Sequence, residues 1–137
     1  MPLTRTNEKR LLQAVIVILA LIPVATGIAG VTLGPAFLGI KAPWPVDLDS
    51  HFRFLSGTFL ATGIAWYSCV PEIERNTGRF RLLAAITFTG GVARLLSLSL
   101  AGVPSPGYRG GLIMELVVVP LLVLWQTRVS SAEPPPV

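Results

Sequence analysis

Charged residues are scarce in this chain, and their scarcity limits the class of protein it can be. Asp, Glu, Lys and Arg make up 13% of the 137 residues, whereas a soluble globular domain usually carries about 25%. Hydrophobic residues make up 52%, and the mean hydropathy is +0.68. This composition argues against a soluble enzyme, a disulfide scaffold and a disordered tail. It predicts an integral membrane protein.

Cysteine and histidine are also nearly absent, which restricts metal and cofactor chemistry. Cys69 is the only cysteine and His51 the only histidine. An intrachain disulfide, a cysteine-based zinc site and a haem held by two histidines are therefore excluded. We predict no metal and no cofactor. The net charge of +4 has no accompanying basic and aromatic pattern, so we predict no binding to nucleic acid.

Four apolar stretches are long enough to cross a membrane, since about 20 such residues span the roughly 30 Å hydrocarbon core. Pro35 follows the first stretch and Pro71 the second, and proline ends a helix readily. The sequence predicts an all-α integral membrane bundle of four transmembrane helices, forming one domain over residues 1–137, with a short flexible tail at 129–137. The predicted helices cover residues 11–34, 51–70, 82–100 and 111–127.

The distribution of basic residues predicts the orientation of this bundle. Seven Lys and Arg residues fall on the side of the two termini and three on the opposite side. Cytoplasmic loops carry the excess of Lys and Arg in membrane proteins. We therefore predict that both termini are cytoplasmic.

Two ionisable residues, Arg94 and Glu115, fall inside the third and fourth predicted helices. A charge at membrane depth is costly, so each implies a partner or a function. From the helical rise, Arg94 lies about 9 Å and Glu115 about 6 Å below the outer surface. Arg53 begins the second helix just under that surface, with Asp49 and His51 directly above it. The spacing predicts one polar cluster built from three helices.

Two interpretations of this polar cluster stay open. In the first, Arg94 and Glu115 form a buried ion pair that fixes helix order, and Arg53 bonds to Asp49, a carbonyl or lipid. In the second, two arginines against one intramembrane carboxylate leave positive charge that suits an anionic headgroup or carboxylate ligand. We expect His51 to be hydrogen-bonded, for instance to Asp49, in preference to ligating a metal or pigment.

Small residues on the helix faces predict close packing, because glycine lets helices approach each other in lipid. Gly30 and Gly34 form a GxxxG pair, which alone is weak evidence for a dimer. The glycines that we assign to helix packing are Gly57, Gly63, Gly90 and Gly91.

Two short motifs carry a family resemblance. Residues 49–57 read DSHFRFLSG and residues 90–97 read GGVARLLS, and Glu115 follows at a matching distance. Their order and spacing resemble a bacterial family of small four-helix inner-membrane proteins of unknown function, DoxX-like in broad shape, over about residues 11–128. The resemblance implies a bacterial inner-membrane location and the importance of Arg53, Arg94 and Glu115. It implies no reaction.

Three functions fit these observations. The first is a non-catalytic accessory or assembly subunit that docks on a larger membrane complex, or on further copies of itself, through its glycine-lined and apolar faces. The alternative is a binder or carrier of an amphipathic anionic lipid or quinone-like molecule in the outer-leaflet pocket. The third is an intramembrane enzyme that uses Glu115, which ranks last because an adjacent arginine weakens a carboxyl group as an acid.

Overall fold

The computed structural model describes residues 5–131, and every regular element within that range is helical. The predicted all-α fold class is confirmed for these residues. A 3₁₀ turn follows the first helix, and a π-helical turn divides the last helical run. In chain order the elements are α1 (Arg5–Leu33), the 3₁₀ turn (Gly34–Leu38), α2 (Val46–Tyr67), α3 (Thr77–Ala101), α4 (Pro106–Ile113), the π turn (Met114–Val118) and α5 (Val119–Ser130).

Three of the helical runs are long and apolar enough to cross a membrane, namely Arg5–Leu38, Thr77–Ala101 and Pro106–Ser130. α2 is long enough, but its first two turns carry Asp47, Asp49 and Arg53 and lower its hydropathy. Large apolar side chains also point outward along the helices. Most of the surface of Ile18, Leu82 and Leu124 is exposed, as expected of side chains that face lipid tails.

The helices begin earlier than the apolar stretches that indicated them. α1 starts at Arg5, α2 at Val46 and α3 at Thr77, each five or six residues before the predicted span. Hydropathy detects the part of a helix that suits the hydrocarbon core, whereas backbone hydrogen bonding continues through the polar residues that flank it. Of the predicted tail, Val129 and Ser130 belong to α5, and residues 132–137 lie outside the described range.

The chain divides into two compact units. The first, called here the α1–α2 unit, comprises Ala14–Val70. Its two helices pack through glycine: a Cβ added to Gly27 would lie 2.7 Å from the Cβ of Leu60, and one added to Gly63 would lie 2.8 Å from a methyl group of Val24. Close approach of this kind leaves no room for a larger side chain, so the glycines set the distance between the helices.

The second unit, called here the α3–α5 unit, comprises residues 5–13 and 71–131. Leu12, Ile73, Phe80 and Gln126 are completely buried in it. Two ion pairs join the start of α1 to the rest of this unit: Lys9 to Glu74 at 2.6 Å and Glu8 to Arg128 at 3.1 Å. An apolar core closed by polar contacts at one end therefore holds this unit together.

Candidate functional site

The α3–α5 unit contains an ion pair between Arg94 on α3 and Glu115 in the π turn. Arg94 donates from Nε to Oε2 of Glu115 at 2.9 Å and from Nη2 to Oε1 at 3.0 Å. Two parallel bonds of this kind fix both the distance and the orientation of the partners. The side chain of Glu115 is 8% exposed and that of Arg94 28%. The carboxylate is therefore shielded from solvent, and the guanidinium is its charged partner.

The π turn that carries Glu115 has a local cause in the sequence. Pro120 has no backbone N–H, so it cannot donate to the carbonyl of Leu116 as an α-helix would require. In the π turn over Met114–Val118, each hydrogen bond joins a carbonyl to the N–H five residues later instead of four. This pairing avoids the missing N–H of Pro120. The wider turn directs Glu115 into the unit, where it is buried.

Small and aromatic neighbours complete the surroundings of this pair. A Cβ added to Gly91 would lie 2.7 Å from the Cβ of Glu115, and one added to Gly111 would lie 3.7 Å from Cζ of Arg94. The ring of Tyr108 lies against Arg94, with its centroid 5.4 Å from Cζ of the guanidinium. This is the geometry of a cation–π contact. The pair is thus packed on several sides and has little freedom to rearrange.

A second ion pair lies in the α1–α2 unit, where Arg53 and Asp49 are one turn apart on α2. Arg53 donates from Nε to Oδ2 of Asp49 at 2.8 Å and from Nη2 to Oδ1 at 3.1 Å. Trp44 donates to the same carboxylate at 3.1 Å. Arg53 also donates from Nη1 to the backbone carbonyls of Val31 and Thr32. The guanidinium therefore caps the end of α1, where carbonyls lack helical partners.

Gly34 makes room for this second pair. Its φ is +60°, a conformation that glycine adopts without penalty and other residues avoid. A Cβ there would lie 2.6 Å from Oδ1 of Asp49 and 2.7 Å from Nη2 of Arg53. Both the turn after α1 and the ion pair beside it depend on a residue without a side chain.

Four of the five residues of the predicted polar cluster thus form two ion pairs, one in each unit. Arg94 and Glu115 are together as the first interpretation expects, and Arg53 has Asp49 as its own carboxylate. His51 is exposed, and Asp49, its expected partner, accepts hydrogen bonds from Arg53 and Trp44. That all five residues share one level of the membrane stays a prediction. Among residues 5–131, no group of three or more His, Cys, Asp or Glu side chains is arranged to hold a metal ion.

The four glycines assigned to helix packing differ in their surroundings. Gly63 and Gly91 have neighbours that a Cβ would overlap, at 2.8 Å and 2.7 Å. Gly57 has one neighbour at an ordinary 3.9 Å, and Gly90 has open space. The sequence could not separate these cases, because the direction in which each glycine faces depends on helix rotation.

The sequence analysis also missed a second set of buried polar groups. Gln126 donates from Nε2 to the carbonyl of Ile73 and to Oγ1 of Thr77, both at 2.9 Å. Burial acts to raise the pKa of Glu74, but the hydrogen bond from Lys9 and the nearby positive charges outweigh it and hold that pKa below its ordinary value. The sequence offered one indication of these buried polar groups, because Gln126 is a polar residue within an apolar stretch.

Comparison with known proteins identifies a family whose function is not established. The family model described as a domain of unknown function, DUF4345, matches residues 11–126. This confirms the resemblance inferred from the two motifs. No curated protein and no solved structure matches the chain.

Proposed function

Because the chain belongs to the DUF4345 family, which has no established activity, we propose its function from its own residues. We propose that it is a non-catalytic accessory or assembly subunit of a larger membrane complex, with four spans in a bacterial inner membrane. Its ionisable residues serve to join helices, and its exposed apolar surfaces serve to contact lipid and partner helices. The partner is a protein with transmembrane helices of its own.

The observation that carries this proposal is that each arginine of the predicted cluster forms an ion pair with a carboxylate of its own. Arg94 is held by Glu115 and Arg53 by Asp49, in each case through two nitrogen atoms. A pocket for an anionic headgroup needs an arginine with unused charge, and both of these are neutralised. The lipid-carrier alternative loses its main support, whereas a structural role for the charges accounts for both pairs.

The same pairing supports α2 as the fourth span. The charges that lower the hydropathy of α2 include Asp49 and Arg53, which neutralise each other and are satisfied by further hydrogen bonds. A neutral hydrogen-bonded pair costs less in a bilayer than two isolated charges. The remainder of α2, beyond Arg53, carries no charged residue.

We predict that both ends of the chain lie in the cytoplasm, because four crossings return the chain to its starting side and that side carries most of the Lys and Arg residues outside the spans. Green fluorescent protein fused before Met1 or after Val137 should fluoresce, and alkaline phosphatase inserted after Ser105 should be active in the periplasm. Three crossings, with α2 on the membrane surface, would instead place the two ends on opposite sides. Alkaline phosphatase activity at one terminus would therefore contradict the four-span proposal.

Purification in a mild detergent tests the accessory role directly. We expect the tagged chain to elute with a second membrane protein in a fixed ratio, which native mass spectrometry of the intact complex would measure. Gly57→Leu, on a face of α2 where an added Cβ would have one neighbour at an ordinary 3.9 Å, should reduce the yield of that complex. Gly78→Leu in α3, where an added Cβ would meet nothing within 4 Å, serves as the matched glycine control. Elution of the chain by itself, without a protein in a fixed ratio, would contradict the accessory role.

A further inference from the structure

An open groove of about 400 Å³ runs between α3 and α5, away from the Arg94–Glu115 pair. Ala84 and Val119, which are almost fully buried, form its floor. Phe88 and Leu124, which are 41% and 68% exposed, form its rims. Ala84 and Ala85 on α3 and Pro120 on α5 are among the residues that line it, and their side chains are small.

Arg81 borders one end of this groove. Arg81 is the only charged residue in its lining, and the other lining residues are apolar. Arg81 is exposed, and within residues 5–131 no carboxylate lies at salt-bridge distance from it. From Arg81 to Phe88 the α3 wall extends over two turns, or about 10 Å. The surface of the groove is therefore apolar along its length, and the guanidinium of Arg81 is the one charged group of the residues that line it.

We propose that this groove binds an anionic phospholipid, with one acyl chain lying between α3 and α5 and the headgroup phosphate on Arg81. The volume is at the lower end of ligand sites, which suits part of a single chain and is too small for a transmembrane helix. A guanidinium without a carboxylate partner pairs well with phosphate. The site differs from the predicted outer-leaflet pocket, because it uses neither Arg53 nor Arg94. The proposal rests on the part of the proposed function that places the chain in a membrane. It does not depend on the accessory role.

Native mass spectrometry of the full-length protein tests this site. The protein is purified in dodecyl maltoside and titrated with phosphatidylglycerol or with phosphatidylcholine of the same acyl chains. We expect one phosphatidylglycerol per chain and weaker binding of phosphatidylcholine. Arg81→Gln should weaken phosphatidylglycerol binding about tenfold, the effect of losing one charge-assisted contact. Arg109→Gln, which removes an exposed arginine outside the groove, should leave the binding unchanged.

A second variant tests the acyl-chain part of the site. Ala85→Phe fills the groove from α3 without altering charge, and Leu124→Trp fills it from α5 should the first variant unfold in thermal scans. Each folded variant should lose both lipids.

Unchanged phosphatidylglycerol binding in Arg81→Gln, or in both groove-filling variants, would overturn the proposal. Competition by inorganic phosphate as strong as by lipid would overturn it too, because it would locate the affinity in the headgroup contact alone. If the lipid site fails while the protein partner still co-purifies, the accessory role stands.

Discussion

Arg94→Met is expected to lower the free energy of unfolding by about 3 kcal/mol, because it leaves the shielded carboxylate of Glu115 without its partner. Glu115→Leu should cost less. The arginine that it strands is 28% exposed and keeps its contact with Tyr108, so its long side chain can move its charge toward the surface. The double variant Arg94→Met/Glu115→Leu should be more stable than Arg94→Met, since no buried charge remains in it.

The measurement is unfolding of the purified protein in micelles, with the four proteins compared as a double-mutant cycle. Arg75→Gln is the matched control, because Arg75 forms an ion pair with Glu72 in which both side chains are more than 60% exposed. Exposed pairs contribute about 0–1 kcal/mol. Equal stability of Arg94→Met and the control would show that the Arg94–Glu115 pair is not a structural contact.

Gly91→Ala is expected to destabilise the protein by about 1–3 kcal/mol, as overpacking of a filled interior does. The new methyl group would lie 2.7 Å from the Cβ of Glu115 and 2.8 Å from a methyl group of Leu116. Those atoms belong to the π turn, so the overlap would also displace the carboxylate from Arg94.

The neighbouring glycine supplies the control for this experiment. Gly90 has open space around its Cα, and alanine in place of glycine within a helix stabilises by about 0.5–1 kcal/mol. Gly90→Ala should therefore raise the unfolding temperature where Gly91→Ala lowers it. Effects of the same sign at both positions would contradict the packing described for α3.

Hydropathy and charge were sufficient to predict helices and the residues that needed partners. Arg94 and Glu115 could be paired from sequence, because a predicted turn and the helical rise place them at similar depths on consecutive helices. Arg53 was harder. Asp49, a carbonyl and lipid were its three candidate partners, and the predicted start of α2 at His51 left Asp49 in a loop, so its position one turn earlier on the same helix was not predicted.

The remaining features depend on helix rotation, which composition does not encode. Gly90 and Gly91 are adjacent in sequence, yet one faces open space and the other contacts Glu115. The bond from Gln126 to Ile73 joins residues 53 positions apart, and no periodic pattern links them. Pro120 is the one sequence signal for the π turn, and the missing N–H of a proline does not by itself specify a change of helix type.

The most direct measurement for the central claim, that the Arg94–Glu115 pair is a packing contact between α3 and the π turn and performs no chemistry, uses the Arg94→Met/Glu115→Leu double variant. This variant keeps approximate side-chain volume and removes both charges. Carried through the mild-detergent purification, it should fold and retain the protein partner in the same ratio as the unmodified chain. A double variant that folds normally but loses the partner would contradict the claim, because the charges themselves would then be required for function.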